Sequence, residues 1–369
     1  MFKTIILEGV KGVGKVELSL SPDSRIFSFI GENGVGKTKL LESLFQILLT
    51  SHEVARTLKG VAVLPETWVL SKAKIDNTIY SFPIVPSGIA NAFNGSASHS
   101  LPVVYMASQN RGFIKHSGNS APPIGKFSQR REQYISLLFS EMQHNFSNLN
   151  MESDIEQWFV TRAQSSNAYQ KQEDNRDIEL QAVIKLLHQI DSRIDPEFME
   201  ISADNRVSLK INDEKRELSQ LSTGFASILK IIQTIISGYG FFTNERKLLS
   251  IKGLVLIDEI ESHLHLSWQS KIIPLLKRLF PNTIFFISTH SSIVLTQLKE
   301  GEAYRLQRDE DGVVRSKPVS APGKAALIDV LKDAFDVDLN KMKYERMSAD
   351  QQKSEKQKLL NLLEQGVSE

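Results

Sequence analysis

Two stretches share the spacing of a loop that wraps phosphate groups: Gly9–Val16 (GVKGVGKV) and Gly31–Thr38 (GENGVGKT). Such a loop needs glycines that turn backbone N–H groups toward the phosphates. It also needs a lysine for their charge, a hydroxyl for magnesium and a following helix whose positive end lies behind them. Only the second stretch has every part. Asn33, Gly34, Val35 and Gly36 make the turn, Lys37 supplies the cation and Thr38 the hydroxyl, with Glu32 and Lys39 at its margins. In the first stretch Val16 replaces the hydroxyl, and VELSL at 16–20 alternates apolar and polar residues as a half-exposed strand does. Gly9–Val16 is therefore read as the turn of a β-hairpin.

Further candidates follow along the chain. LVLIDE at 254–259 reads as a buried parallel strand delivering two carboxylates to its C-terminal end, where α/β sheets bind ligands. There Asp258 would hold magnesium, and Glu259 would orient and activate an attacking water as general base. LSTGF at 221–225 opens a helix with a serine and a glycine, so exposed N–H groups and a hydroxyl meet at a positive helix end, an anion site. TIFFISTH at 283–290 is a second buried strand, and it places His290 where it could sense a terminal phosphate. His263 and His265, close after the carboxylates, invite a metal reading.

The elements that must position these groups can be read from periodicity. Thr4–Leu7, Val16–Leu20 and Arg25–Ile30 read as strands, and Lys39–Leu49 as a helix with apolar residues at 40, 41, 44, 45, 47 and 48. Strand-like pieces recur at 60–70, 80–85 and 101–106, separated by polar turns such as Asn91–Ser100; His116–Lys126 reads as a flexible loop. Residues 128–195 are predominantly helical, with apolar stripes over Ile135–Phe146 and Ile178–Ile190, and the polar Ser165–Arg176 is expected to be exposed. Phe198–Ile201 and Val207–Ile211 should pair as a hairpin, Ala226–Ile236 should be an amphipathic helix, and Glu302–Gln307 should pair with Val313–Lys317. Ala325–Phe335 and the charged tail Ser348–Gln365 are expected to be helical.

With 369 residues, 41% of them hydrophobic, the chain can bury a large core in one or two domains. A net charge of +1 gives no signal of a polyanion partner and leaves local basic clusters, of which Lys126–Arg131 (KFSQRR) is the best. The absence of cysteine excludes disulfides and thiolate chemistry and suits a reducing compartment. The first residues are too polar for a signal peptide, and Phe225–Phe242, interrupted by Lys230, Gln233 and Thr234, reads as a buried helix. The expectation is a cytoplasmic protein with no membrane contact.

The order GENGVGKT, LSTGF, LVLIDEIESHLH, ISTH resembles the ABC-class ATPases of the SMC and RecF kind. More narrowly it resembles the small bacterial AAA-labelled ATPases of OLD-type and PARIS-type phage defence systems. The resemblance covers residues 1–60 and about 197–310. It implies an α/β fold, a P-loop NTPase of the ABC/SMC-head type with N-terminal antiparallel strands and an inserted helical subdomain. The implied organisation is 1–125 as the N-terminal part of the ATPase, 126–196 as the insertion, 197–325 as the C-terminal part and 326–369 as a helical tail. No sustained heptad pattern supports a long SMC arm.

The resemblance further implies that ATP and Mg2+ are the cofactors and that two ATPs are sandwiched in a homo-oligomer, at least a dimer. Ser222 and Gly224 would then touch ATP in trans, Ile260–His263 would lie near the subunit interface, and His290 would be the switch histidine. Gln109, after the strand at 103–106, would be the glutamine that reaches the metal, with Thr38 and Asp258 as the other ligands; Arg111 is an alternative functional residue there. Phe225 departs from the usual polar residue of the signature, and Leu266 from a common proline. The expected function is an ATPase that controls a separate effector protein, such as a nuclease or toxin, in phage defence. The alternatives are a RecF-like repair or recombination ATPase with DNA as partner, and a structural adaptor with negligible turnover.

Overall fold

The computed structural model describes residues 3–58, 62–83, 87–88, 97–114, 116, 124–151, 154–166, 171, 174–320, 322–323, 341 and 356–358. The helix expected at 325–335, most of that expected at 348–365, most of the turn at 91–100 and most of the loop at 116–126 lie outside the described residues.

The chain opens with β1 (Thr4–Val10), β2 (Gly14–Ser19) and β3 (Ile26–Ile30), then α1 (Lys37–Thr50) and α2 (Glu53–Thr57). The short strands β4 (Ala62–Val63), β5 (Lys72–Ile75), β6 (Thr78–Ser81), β7 (Ser87–Gly88) and β8 (Val103–Met106) follow. Helices α3 (Phe127–His144), α4 (Ile155–Gln164) and α5 (Asp177–Ile190) form the helical section. Next come β9 (Ile194–Ile201), β10 (Val207–Ile211), β11 (Glu214–Glu217) and α6 (Thr223–Phe242). The last described part runs β12 (Leu254–Ile257), α7 (Leu266–Gln269), α8 (Ile272–Leu279), β13 (Ile284–Ser288), α9 (Ser292–Leu295), β14 (Ala303–Arg308) and β15 (Val314–Pro318).

Ten strands form one sheet in the order β6-β5-β1-β2-β15-β14-β3-β13-β12-β8. Its half containing β14, β3, β13, β12 and β8 is parallel. These strands are continuous apolar runs because both faces are covered; IFSFI, LVLI and VVYM are buried at every position. The other half, with β6, β5, β1 and β2, is antiparallel. Strand β13 separates the loop-bearing β3 from the carboxylate-bearing β12. All three therefore end at one edge, with Phe29 opposite Ser288 and Ile287 opposite Ile257. This is an α/β fold with the central parallel strands of a P-loop NTPase and an N-terminal antiparallel region.

Several expectations need correction. Within the strand-like stretch expected at 60–70, the regular elements among the described residues, 62–70, are the two-residue β4 and a 3-10 turn at Pro65–Thr67. Pro65 has no N–H for a ladder, and Trp68–Leu70 are buried as a loop whose backbone bonds Gln46 of α1 instead. The hairpin expected at 198–211 is a three-stranded sheet, β11-β10-β9. EKRE at 214–217 went unread because it is almost wholly exposed and shows no alternation; Asn212 and Asp213, both at positive φ, form the tight turn before it. Arg176, in the stretch expected to be exposed, is 2% exposed, its guanidinium held by Glu179 and Asn244. The amphipathic helix expected at Ala226–Ile236 is the middle of a longer helix, Thr223–Phe242, in keeping with the buried helix read over Phe225–Phe242. It has the length and composition of a membrane span, yet 94% of its most apolar window is inside the fold.

Candidate functional site

Gly31, Gly34 and Gly36 have φ of 146°, 80° and 109°, which L-residues with side chains rarely adopt. Gly31 also has no room: a Cβ there would lie 2.6 Å from the Leu306 carbonyl oxygen. A Cβ on Gly36 would lie 2.7 Å from a methyl of Val13, in the turn of GVKGVGKV. That turn thus packs against the phosphate-type loop while Lys15 pairs with Glu17 at 2.6 Å, away from it. Helix α1 begins immediately after Gly36 with no side-chain cap and no acidic residue in its first turn. Its first N–H groups and the positive end of its dipole remain for an external anion.

Lys37 is buried at 6% exposure, and its Nζ donates to the carbonyls of Gly31 and Glu32, both at 2.9 Å. Burial lowers its pKa, an effect opposed by the charges of Asp258, Glu259 and Glu261. The ammonium is thus held on the rim of its own loop, beside three carboxylates. Glu32, Asn33 and Gly34 are exposed, Val35 is buried, and the Lys39 side chain is committed to Glu42 at 2.6 Å.

Thr38 Oγ1 lies 3.1 Å from each oxygen of Asp258, a carboxylate that is 3% exposed. Ser288 Oγ donates to Asp258 at 2.6 Å and accepts the Glu259 N–H at 2.7 Å. Burial pushes the Asp258 carboxyl above its ordinary range; the Ser288 and Thr38 hydroxyls and Arg111 oppose this, and the charge of Glu259 adds to it. A buried carboxylate raised by desolvation, with a hydroxyl facing both oxygens, suits a small hard cation such as Mg2+, which takes oxygen ligands. Among the described residues no group of three or more His, Asp or Glu could hold a metal by itself, so any such cation needs further oxygens from phosphates or water.

Glu259 has φ of 44°, in the left-handed region. The usual reason for tolerating such strain is a functional constraint. Its carboxylate accepts from Ser262 Oγ at 3.0 Å and is only half-buried. Glu261 ties this edge to the next strand: it accepts from Thr289 Oγ1 at 2.6 Å and from the His290 N–H at 2.5 Å, leaving the imidazole exposed.

Lys37, Thr38, Asp258, Glu259 and His290 thus converge on one sheet edge. Ser222 is the exposed N-cap of α6, accepting from Phe225 N–H at 3.4 Å. Gly224 packs on the loop after the carboxylates, where a Cβ would lie 3.4 Å from Trp268. Phe225 is buried beneath it, so the departure at that position serves the core. Gln109 is exposed in the turn after β8, whereas Arg111 of the same turn is fully buried and donates to the carbonyls of Ala107, Asp258 and Glu259. Ser288, Glu261 and Ser262 were not singled out as site residues. Their signal was only their closeness in sequence to Asp258 and His290.

The basic cluster at 126–131 does not face outward as a unit. Arg130 is 5% exposed and donates to the carbonyl of Gly125 and to Asn244, so it cannot meet a DNA phosphate.

The family described as "AAA domain, putative AbiEii toxin, Type IV TA system" matches residues 108–296, just over half of the chain. Among curated proteins, "Septu protein PtuA" of Bacillus thuringiensis is 23% identical over 328 residues, covering 85% of this chain and 78% of that protein. "Retron Ec83 probable ATPase" of Escherichia coli is 35% identical over 114 residues, covering 28% of this chain but only 21% of that protein. Among solved structures, an SMC head bound to the C-terminal winged-helix domain of ScpA is 12% identical with a TM-score of 0.46, covering 86% of this chain and 98% of that one.

Proposed function

The chain belongs to that AAA domain family, and from this premise we propose that it is an ABC-like ATPase of a phage defence system, hydrolysing ATP with Mg2+ to control a separate effector. The single observation that carries hydrolysis is the Thr38–Asp258 pair at 3.1 Å, with Glu259 held in a left-handed conformation immediately after it. The glycine turn and the uncapped start of α1 would hold the phosphates, and Lys37 would exchange its two carbonyls for phosphate oxygens. Thr38 and Asp258 would hold magnesium, with Gln109 as a further candidate ligand. Magnesium, when bound, neutralises phosphate oxygens and orients them. Glu259 would then orient and deprotonate the attacking water, and His290, at the end of the neighbouring strand, would face the terminal phosphate.

Assembly with ATP at a subunit interface is part of the same reading. Ser222 offers an exposed hydroxyl and a helix N-terminus that, among the described residues, serves the cap alone, which suits capture of a second copy's nucleotide together with Gly224. The relative named as a retron probable ATPase and the resemblance to phage-defence ATPases support the defence role, and from that resemblance a separate nuclease or toxin is the partner we infer. A cytoplasmic location follows from that role. Burial of Arg130 leaves the DNA-repair reading without its best support.

The test is phosphate release from Mg·ATP. Glu259→Gln should slow turnover by about 10²–10⁴-fold, the range for losing a general base, while retaining ATP binding. Lys37→Ala should abolish both. A Glu259→Gln protein that turns over like wild type refutes the assignment.

A further inference from the structure

The catalytic edge rests on a charged side chain that touches none of the groups expected to meet nucleotide. Arg111 is among the largest fully buried side chains of the described residues, at 0% exposure. Among those residues its guanidinium has no side-chain partner. It donates to the Ala107 carbonyl at 2.7 Å, the Asp258 carbonyl at 2.7 Å and the Glu259 carbonyl at 2.9 Å, and its Nε–H has no partner. A buried cation without a counter-ion is expensive, and neutral carbonyls alone compensate it poorly. Here the three carboxylates just beyond those carbonyls, on Asp258, Glu261 and Glu259, provide the remaining attraction.

The Asp258 and Glu259 carbonyls, just past the end of β12, bracket the Cα of Glu259, whose backbone is left-handed. In that conformation Glu259 turns its carbonyl inward, to Arg111, and its N–H sideways, to Ser288. The peptide on each side of the Glu259 Cα is therefore held by a named partner, which sets the direction in which its carboxylate leaves the chain. The turn that carries Arg111 is itself anchored. Lys230 of α6, 4% exposed, donates to the Asn110 carbonyl at 2.9 Å, and Gly112 lies so close to His263 that a Cβ would come within 2.7 Å of its ring.

We propose that Arg111 is a positioning residue for Glu259: by clamping the Asp258 and Glu259 carbonyls it holds the left-handed backbone that aims the general base at the attacking water. This rests on the reading of Glu259 as that base. Arg111 acts through backbone and does not touch nucleotide, so its loss should lower kcat and leave the KM for ATP nearly unchanged.

The experiment compares wild type, Arg111→Met, Arg111→Lys, Glu259→Gln and the double variant Arg111→Met/Glu259→Gln. The readouts are steady-state and single-turnover phosphate release from Mg·ATP, fluorescent ADP binding and thermal melting. The expected result is a thirtyfold or greater loss of kcat in Arg111→Met with KM and ADP affinity within threefold. Arg111→Lys should recover at least part of that loss, because an ammonium can reach one or two of the carbonyls. In the Glu259→Gln background, removing Arg111 should change the residual single-turnover rate less than threefold, since there is no base left to aim. An Arg111→Met kcat within threefold of wild type overturns the proposal, and so does an equal fold loss in both backgrounds. If Arg111→Met does not fold, the same comparison is made with Arg111→Lys, for which equal losses in both backgrounds again refute it. A wild-type protein without turnover, or a fully active Glu259→Gln, refutes the ATPase reading instead and takes this inference with it.

Discussion

Ser288→Ala tests whether the catalytic edge is held together by one hydroxyl. Ser288 is fully buried and serves two residues at once, donating to the Asp258 carboxylate at 2.6 Å and accepting the Glu259 N–H at 2.7 Å. A hydrogen bond to a charged group contributes about 1.5–3 kcal/mol, and an N–H left unpaired in the interior costs about 1–3 kcal/mol. The two losses are not additive, because Glu259 is only half-buried and water can reach part of its backbone, so a net destabilisation of about 2–4 kcal/mol is expected. That is a large share of the roughly 5–15 kcal/mol by which domains are stable. A second effect is chemical. The lost hydroxyl favoured the charged form of Asp258, whose carboxyl burial already raises, so its pKa rises further. Fewer molecules then carry the carboxylate proposed to hold magnesium, and the deficit grows as pH falls. The assays are urea unfolding without nucleotide and Mg2+ titrations of ATP turnover at pH 6 and pH 8. Half-saturation should move to higher Mg2+ in Ser288→Ala, and further at pH 6. A variant with unchanged stability and the same Mg2+ dependence as wild type at both pH values refutes the reasoning.

Other consequences can be tested directly. His52 is the N-cap of α2, 1% exposed, and burial, with the nearby His99, lowers its pKa from 6.5 to about 4. Its folded form is neutral, so it contributes about 3 kcal/mol that is present above pH 6.5 and lost as pH falls toward 4, with about 2 kcal/mol gone at pH 5. Urea midpoints should therefore fall between pH 7 and pH 5, and His52→Asn, which can still cap α2, should flatten that dependence. Glu179 is 1% exposed and bonded to Arg162 at 2.9 Å and Arg176 at 2.6 Å, so Glu179→Ala leaves two buried guanidiniums uncompensated and should cost about 3–5 kcal/mol in the unfolding midpoint. Lys15→Ala should leave ATP turnover unchanged, because Lys15 is paired with Glu17 on the hairpin, whereas Lys37→Ala should abolish the rise in melting temperature caused by Mg·ATP.

Most of the central fold was legible because its determinants are local. Strands covered on both faces are apolar at every position, so LVLI, IFSFI and IFFIS announce parallel strands, and the apolar stripe after Gly36 announces α1. The elements that went unread had no such signature. Strand β11 is almost all charged, and residues 60–70 look like a strand while Pro65 and Gln46 make them a packed loop. Arg130 and Arg176 read as surface residues because arginine is seldom buried; carbonyls, Asn244 and Glu179, distant in sequence, decide otherwise.

By itself the sequence determined which residue types could bind phosphate, hold a cation and activate water, because those demands are met within a few consecutive positions by glycines, a lysine, a hydroxyl and a pair of carboxylates. It also separated GENGVGKT from its near-copy, since a missing hydroxyl and a following strand are local facts. Only the tertiary structure decided which of these groups meet and what holds them. Val13 backs Gly36, Ser288 bridges Asp258 and Glu259, and Arg111 reaches beneath both, although each partner is remote along the chain. Spacing can specify a side chain's chemistry, but its direction is set by hydrogen bonds and packing across the sheet edge, which do not exist until β3, β13 and β12 lie side by side.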